Sequence, residues 1–114
     1  MNIDTWLNSF KQYWTQHDVE SVLSLFDLNV DYYETPFHKL TTRKDLEEAW
    51  NGIHNQQDIE LDLTVFNQNQ NNYSVIWYLE YTQKGIVKKC AGSYLITLNN
   101  ENKCTYFFHC CESK

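Results

Sequence analysis

The spacing of the apolar residues changes once along the chain, and this change is the strongest constraint on the fold. Up to Ile53 most apolar side chains recur every three or four residues, which predicts amphipathic helices. From Asp58 onward they alternate with polar residues, which predicts strands. Helices that precede a curved antiparallel sheet and pack on one of its faces form a cone with an open mouth. The 114 residues therefore predict a single α+β domain with a pocket between helices and sheet.

Capping and breaking residues divide the chain into three N-terminal helices and five strands. Asp4, Asp18 and Thr42 are the expected N-caps, because short polar side chains accept hydrogen bonds from the free N–H groups of a first helical turn. Pro36 should end a strand that begins at Asn29. The other strands are expected at residues 58–65, 73–83, 86–98 and 103–112. The predicted architecture is a cone-shaped barrel of helices packed on a curved mixed, mostly antiparallel sheet.

Two tight turns predict how the last three strands pair. Lys84-Gly85 is a two-residue hairpin loop that pairs Gln83 with Ile86, and residues 99–102 form a turn that pairs Leu98 with Lys103. This register predicts three rows of side chains on the helix-facing side: Val75-Tyr94-Phe107, Trp77-Gly92-His109 and Leu79-Cys90-Cys111. Gly92 then either leaves room for a pocket floor or accommodates the Trp77 ring.

The opposite face of these strands is expected to be apolar, where a solvated face would be polar. It carries large side chains, with a Glu80–Lys89 cross-strand pair at its margin: Ile76, Tyr78, Leu95, Tyr106 and Phe108. Soluble proteins seldom leave such a patch in water, so we expect a homodimer through this face.

Charge and composition narrow the partners and the compartment. The net charge is −6 and the nine basic residues are scattered, so neither nucleic acid nor a membrane is an expected partner. The N-terminus has no basic segment followed by a long apolar run, and four cysteines without an export signal are typical of reduced thiols; we expect a cytoplasmic protein. No Gly-rich phosphate loop is present, and no cofactor is expected.

A metal site is not expected from the cysteines. Alternation places Cys110 and Cys111 on opposite faces of one strand, Cys104 shares a face with Cys110, and no Cys-x-x-Cys spacing occurs. Cys90 and Cys111 face each other in the predicted register. A disulfide between them under oxidation and two buried thiols both stay open.

The order of several short motifs resembles one known superfamily. The matching segments are Trp6-Leu7 with Tyr13-Trp14 and Asp18, Leu25-Phe26-Asp27, residues 29–37, residues 46–50, and residues 92–98 followed by 102–104. Together they are similar to SnoaL-like members of the nuclear-transport-factor-2-like fold, which also includes ketosteroid isomerases and polyketide cyclases. The resemblance implies a cone-shaped domain and a homodimer. It does not imply one activity, because this fold carries many.

The resemblance can be followed residue by residue. Ketosteroid isomerases use a tyrosine on the first helix, an aspartate just before the proline and an acid on the penultimate strand. The matching positions here are Phe10, Thr35 and Tyr94. Phe10 has no hydroxyl, Thr35 cannot serve as a carboxylate base, and Glu34 is expected to point the other way, so steroid-type isomerisation is not implied. Polyketide-cyclase-like members place an acidic or basic group on the last strand, which here offers His109 on the inner face and Glu112 at its end.

The candidate site residues lie on the predicted concave face, on the third helix and on the strand before Pro36. His109 is the candidate general base, because a neutral imidazole accepts a proton near neutral pH, and Tyr94 is the candidate hydrogen-bond donor. A histidine that is hydrogen-bonded within the cavity wall is the alternative for His109. The candidate ligand-binding residues are Tyr33, Thr35, Trp50, Trp77, Gly92, Cys90, Phe107 and Cys111.

Three functions stay open. The leading one is a protein that binds a small apolar or aromatic ligand in the pocket. The second is an enzyme of the cyclase, isomerase or hydratase type with His109 as general base, and the third is an interaction module that uses the outer sheet face. A carboxylate close to His109 would favour the enzyme. Asp31 is the candidate, since alternation places it with Tyr33 and Thr35.

Overall fold

Three helices and one six-stranded sheet make up the chain. The computed structural model describes residues 2–114. The helices are α1 (Ile3–Thr15), α2 (Val19–Leu23) and α3 (Arg43–Trp50), and a short 3-10 helix (Asn51–Asn55) continues α3. The strands are β1 (Phe26–Thr35), β2 (His38–Leu40), β3 (Gln57–Asn69), β4 (Asn72–Gln83), β5 (Ile86–Leu98) and β6 (Cys104–Ser113). Within residues 2–114, no helix is long and apolar enough to cross a membrane.

The sheet is open and mixed, with the strand order β2-β1-β6-β5-β4-β3. β1 runs parallel to β6, and all other neighbouring strands are antiparallel. Register shifts in β3 and at the start of β6 bend the sheet around the helices. The predicted α+β cone, with helices packed on a curved, mostly antiparallel sheet, is confirmed.

The helix starts follow from local hydrogen bonding. The predicted caps Asp18 and Thr42 are confirmed, since each side chain accepts a hydrogen bond of 3.1 Å from the backbone N–H three residues later. The predicted cap Asp4 is wrong. Asn2 caps α1 by accepting from the Thr5 N–H at 3.1 Å, and Asp4 lies in the first turn, where its charge favours the helix dipole.

The region between α2 and α3 differs from the prediction. β1 begins at Phe26, three residues before the predicted start at Asn29, and the short strand β2 after Pro36 was not predicted. Arg43 holds this region in place, because its guanidinium donates to the carbonyl oxygens of Leu23 and Phe26 at 3.0 Å each. Arg43 of α3 therefore ties the end of α2 to the start of β1, a long-range contact that no local pattern contains.

The predicted pairing of β4 with β5 is confirmed, including Trp77 opposite Gly92. The pairing of β5 with β6 is shifted by two residues, so that His109 lies opposite Tyr94 and Cys111 opposite Gly92. The Asn99 side chain holds a longer loop by accepting from the N–H groups of Glu101 and Lys103, and an extra residue follows Cys104. A shift of two keeps the side chains from Tyr106 to Glu112 on their predicted faces. Cys104 lies before the extra residue and opposite Leu98, so it is buried in the core and does not share a face with Cys110 as predicted.

Aromatic rings fill the space between the helices and the sheet. Trp6, Phe10, Trp77, Tyr94 and Phe107 are each no more than 2% exposed. Their rings meet edge-on or stacked, as buried aromatic side chains prefer, with Phe10 of α1 lying 5.8 Å from Tyr94 and 6.2 Å from Phe107. This core joins α1 to β5 and β6 and forms the closed part of the cone.

Candidate functional site

The strand directions bring one set of residues to the open end of the cone. β1, β4 and β6 end there, and β3 and β5 begin there. The 3-10 helix reaches the same end, where Gln56 accepts a 2.8 Å hydrogen bond from the Trp14 indole and its carbonyl contacts His17. We call this end the mouth; its residues are Glu34, Gln56, Tyr81, Cys90, His109 and Cys111.

His109 is half-buried at the mouth, on the helix-facing side of β6 as predicted. Its ring centroid lies 5.4 Å from the rings of both Trp77 and Tyr94. Its Nδ1 lies 2.8 Å from the backbone carbonyl oxygen of Glu34. Because a carbonyl oxygen only accepts, Nδ1 carries the proton in the neutral ring and Nε2 holds the lone pair.

Burial sets the protonation state of His109. It lowers the pKa of the imidazole below the ordinary value of 6.5, and the carbonyl and carboxylate of Glu34 work against this shift. The ring is therefore neutral at pH 7, with a fixed tautomer and a basic nitrogen. This is the arrangement that a general base or a hydrogen-bond acceptor for a ligand requires.

Glu34 lies at the mouth beside His109, which corrects the expectation that it points the other way. Tyr32, and not Tyr33, faces the core, so alternation turns Glu34 to the inner side as well. Its carboxylate is near enough to raise the pKa of both Tyr32 and His109. Alternation places Glu34 on the same face as Tyr32, but two consecutive tyrosines leave undecided which of them faces the core.

Tyr94 lies behind His109 and is fully buried. It stacks on Trp77 with a centroid distance of 5.4 Å and an angle of 15° between the rings. Burial raises the pKa of its phenol well above the usual range. Tyr94 therefore stays protonated, so its phenol can donate a hydrogen bond and cannot act as a base.

Two buried indole groups have no hydrogen-bond partner among residues 2–114: Nε1 of Trp50 and Nε1 of Trp77. A buried donor without a partner costs about 1–3 kcal/mol. Trp50 packs on Phe10 and Trp14 at the helix side, with the Tyr32 hydroxyl beside it but without good hydrogen-bond geometry. Trp77 instead contacts His109 near the mouth.

Two residues predicted to face the pocket from β1 do not. Tyr33 lies on the outer face of the sheet, where its ring packs against Tyr106 and Phe108. Asp31 lies on the same outer side and forms a 2.8 Å ion pair with Lys39, so it is not the carboxylate that accompanies His109. Both errors have the same cause. Pairing with β6 decides which alternate residues of β1 face the core, and the prediction chose the wrong set.

Three further predicted positions have other roles. Thr35 is exposed at the end of β1, where its Oγ1 accepts from the Phe37 N–H at 3.2 Å. Phe107 is 1% exposed and packs between Tyr32 and Tyr94, far inside the core. A Cβ atom on Gly92 would lie 1.9 Å from the Cys110 carbonyl oxygen. Gly92 is therefore needed for the close approach of two strands, not for a pocket floor.

The thiols at the mouth are neighbours but do not face each other directly. Cys90 lies opposite Ser113 and Cys111 opposite Gly92, which corrects the predicted pairing. Burial raises the pKa of Cys90, and Cys111 raises it further. Within the described chain, all four cysteines are free, and no three His, Cys, Asp or Glu side chains come close enough to hold a metal ion.

The outer face of the sheet is open. Ile76, Tyr78 and Leu95 are exposed there, beside the half-buried Tyr106 and Phe108. Near the mouth, this face carries a groove of about 710 Å³ with an acidic margin, lined by side chains that include Glu60, Asp62, Tyr78, Glu80, Lys89 and Glu112. The predicted apolar patch with a charged edge is present, including a Glu80–Lys89 pair at 3.3 Å.

Solved structures with the same architecture are similar to this chain over most of its length. A ketosteroid isomerase from Mycobacterium sp. matches with a TM-score of 0.77 and 13% identity, covering 96% of both chains. A nuclear-transport-factor-2-like protein from Exiguobacterium sp. 255-15 matches with a TM-score of 0.74 and 16% identity, covering 96% of this chain and 97% of that one.

A third similar structure is a putative scytalone dehydratase from Novosphingobium aromaticivorans, with a TM-score of 0.69, 13% identity and coverage of 98% of this chain and 81% of that one. No protein-family model and no curated protein matches the sequence. The chain has the nuclear-transport-factor-2-like fold, and at these identities the likeness extends to the fold alone.

Proposed function

We propose that the protein binds a small molecule at the mouth, where His109 meets Trp77 and Tyr94. The observation that carries this proposal is the state of His109: the fold uses its Nδ1 and leaves Nε2 as a basic nitrogen beside two aromatic rings. Burying a polar nitrogen costs free energy, whereas burying an apolar side chain of similar size does not. The imidazole therefore suits recognition better than packing.

The expected ligand is neutral and mostly apolar. Trp77 and Tyr94 offer ring surface at the inner wall, which favours a flat molecule. The Glu34 carboxylate at the mouth and the net charge of −6 disfavour an anion. Because both rings are only 2% exposed, the ligand has to displace side chains at the mouth to reach them.

Indole N–H signals in an NMR titration test the proposal. Four aromatic probes of similar size serve as ligands: ethylbenzene, 3-ethylphenol, acetophenone and 3-hydroxyacetophenone. Saturable binding should move the Trp77 signal and leave the Trp6 signal in place, because the Trp6 N–H donates to the Leu25 carbonyl at the closed end. Benzoate should bind more weakly than acetophenone. Failure of all four probes to give saturable shifts, or shifts at Trp6 without Trp77, would contradict the proposal.

A second candidate function is acid–base catalysis of the isomerase or dehydratase type, and Glu34 favours it. His109 Nε2 would accept a proton from carbon, the Glu34 carboxylate would stabilise the resulting imidazolium, and the Tyr94 hydroxyl would donate to the developing oxyanion. An isomerase and a putative dehydratase are among the structures similar to this chain.

Deuterium exchange separates binding from catalysis. An enzyme of this type should speed the incorporation of deuterium into the methyl group of acetophenone in D₂O, measured by NMR. His109→Leu should lower that rate about a hundredfold and Glu34→Gln less, as expected for a general base and a supporting charge. Glu112→Gln, at the exposed end of β6, is the matched control. If exchange is no faster than in buffer alone, the catalytic function is refuted and the binding function is unaffected.

A further inference from the structure

The fold places one free donor and one free acceptor on two rings that pack against each other beside the mouth. Trp77 Nε1 is buried with no partner in the described part of the chain. The His109 tautomer, fixed by Glu34, leaves Nε2 as an acceptor. The two rings are in contact, 5.4 Å apart and inclined by 38°. An indole N–H can only donate, and the lone-pair nitrogen of a neutral imidazole can only accept.

We infer that the ligand is a neutral molecule with a carbonyl or ether oxygen and a hydroxyl group a few bonds apart on a flat apolar frame. The inference rests on the proposed function. The oxygen accepts a hydrogen bond from Trp77 Nε1, and the hydroxyl donates to His109 Nε2. Trp77 packs on the half-buried His109, so displacement of side chains at the mouth brings a ligand to the indole ring.

The surroundings exclude other polar groups on the ligand. A carboxylate would meet the like charge of Glu34, whose carboxylate is close enough to act on His109. An ammonium group would suit Glu34 but would leave the Trp77 N–H without an acceptor. A plain hydrocarbon would leave the Trp77 Nε1 donor and the His109 Nε2 acceptor without hydrogen-bond partners. A hydroxy-ketone or hydroxy-ether satisfies both groups at once.

Trp50 provides the matched control. Its Nε1 is also buried without a partner among residues 2–114, but its ring packs at 5.5 Å from Phe10 and 5.0 Å from Trp14 on the helix side. Trp50→Phe and Trp77→Phe each remove one indole N–H and keep an aromatic ring. Only the change at Trp77 should affect recognition of the carbonyl group.

The same four probes separate the hydrogen bond from Trp77 Nε1 from the hydrogen bond to His109 Nε2. Ethylbenzene has neither polar group, 3-ethylphenol has the hydroxyl, acetophenone has the carbonyl, and 3-hydroxyacetophenone has both. Affinities are measured by ligand-observed NMR. Each polar group should tighten binding to the wild type about fivefold, the usual net effect of one hydrogen bond. Trp77→Phe should abolish the carbonyl advantage and keep the hydroxyl advantage, and His109→Leu should do the reverse. Trp50→Phe should keep both.

The retained hydroxyl advantage in Trp77→Phe also shows that the variant has a folded site. Equal binding of ethylbenzene and 3-hydroxyacetophenone to the wild type would overturn the inference and leave the proposed function standing. A carbonyl advantage that survives Trp77→Phe, that disappears in Trp50→Phe, or that is lost together with the hydroxyl advantage in Trp77→Phe would also overturn it. If no probe binds, both the inference and the proposed function fail.

Discussion

The imidazole of His109 is anchored to the backbone of Glu34, with Nδ1 2.8 Å from the carbonyl oxygen of a residue 75 positions earlier in the chain. The two residues lie on neighbouring strands that run parallel, β1 and β6. One hydrogen bond therefore decides the tautomer of His109, and the same residue places a carboxylate close to its ring.

The pKa of His109 should lie below 6.5, because burial disfavours the charged ring more than Glu34 supports it. Glu34→Gln should lower the pKa further, since it removes the carboxylate and keeps the backbone carbonyl. An NMR titration of the His109 Cε1 proton measures both values. Glu112→Gln is the control and should leave the pKa where it is. A rise of the pKa in Glu34→Gln would contradict the described electrostatics.

The same shift makes His109 contribute to the pH dependence of stability. Its pKa is lower in the folded protein, so the unfolded chain binds more protons below about pH 6.5. This contribution is complete above pH 6.5 and is lost as the pH falls through the folded pKa. His109→Leu should lose less stability than the wild type between pH 7 and 5 in urea unfolding. Parallel losses in the two proteins would show that His109 is not the group responsible.

Gly92→Ala should destabilise the protein by about 3 kcal/mol or more, because the new Cβ would overlap the Cys110 carbonyl oxygen and force β5 and β6 apart. Gly52→Ala is the matched control: nothing lies within 4 Å of its Cβ position, and the change should be neutral or stabilising by about 0.5 kcal/mol. Urea unfolding measures both. Similar midpoints for Gly92→Ala and the wild type would refute the close approach.

We propose that the outer face of the sheet forms a homodimer. Ile76, Tyr78 and Leu95 are 37–61% exposed there, and covering such side chains gains about 25 cal/mol per Å² of apolar area. Leu95→Lys should give a monomer in sedimentation analysis, because two desolvated charges would meet near the two-fold axis. Leu28→Lys is the control, as Leu28 is 83% exposed beside α3. A monomeric wild type at micromolar concentration would remove the dimer.

Three of the four thiols, those of Cys111, Cys90 and Cys104, should react with iodoacetamide in an order set by exposure. Cys111 is exposed and should react first. Cys90 is half-buried, and burial raises its pKa, so its thiolate fraction is smaller. Cys104 is buried, and burial raises its pKa further, so it should react only after unfolding. Mass spectrometry of timed samples gives the order, and early labelling of Cys104 would argue against the described core.

Much of the fold could be predicted from local sequence patterns. The caps at Asp18 and Thr42 and the Lys84-Gly85 hairpin depend on residues within a few positions of each other, so their spacing was enough. The period of two assigned His109 and Trp77 to the concave face correctly, although the β5–β6 register was off by two residues. The alternation pattern cannot detect such an error, because a shift of two residues leaves side chains on the same face of the sheet.

What the sequence by itself determined was the order of helices and strands, the two faces of the last three strands and the apolar outer patch. What only the tertiary structure decided was the phase of β1, the role of Gly92 and the presence of Glu34 at the mouth. Tyr32 and Tyr33 are the same residue type, and pairing with Phe107 and Phe108 on a strand far along the chain decides which of them is buried. Contacts of that kind depend on strands that meet only after folding, so no local pattern contains them.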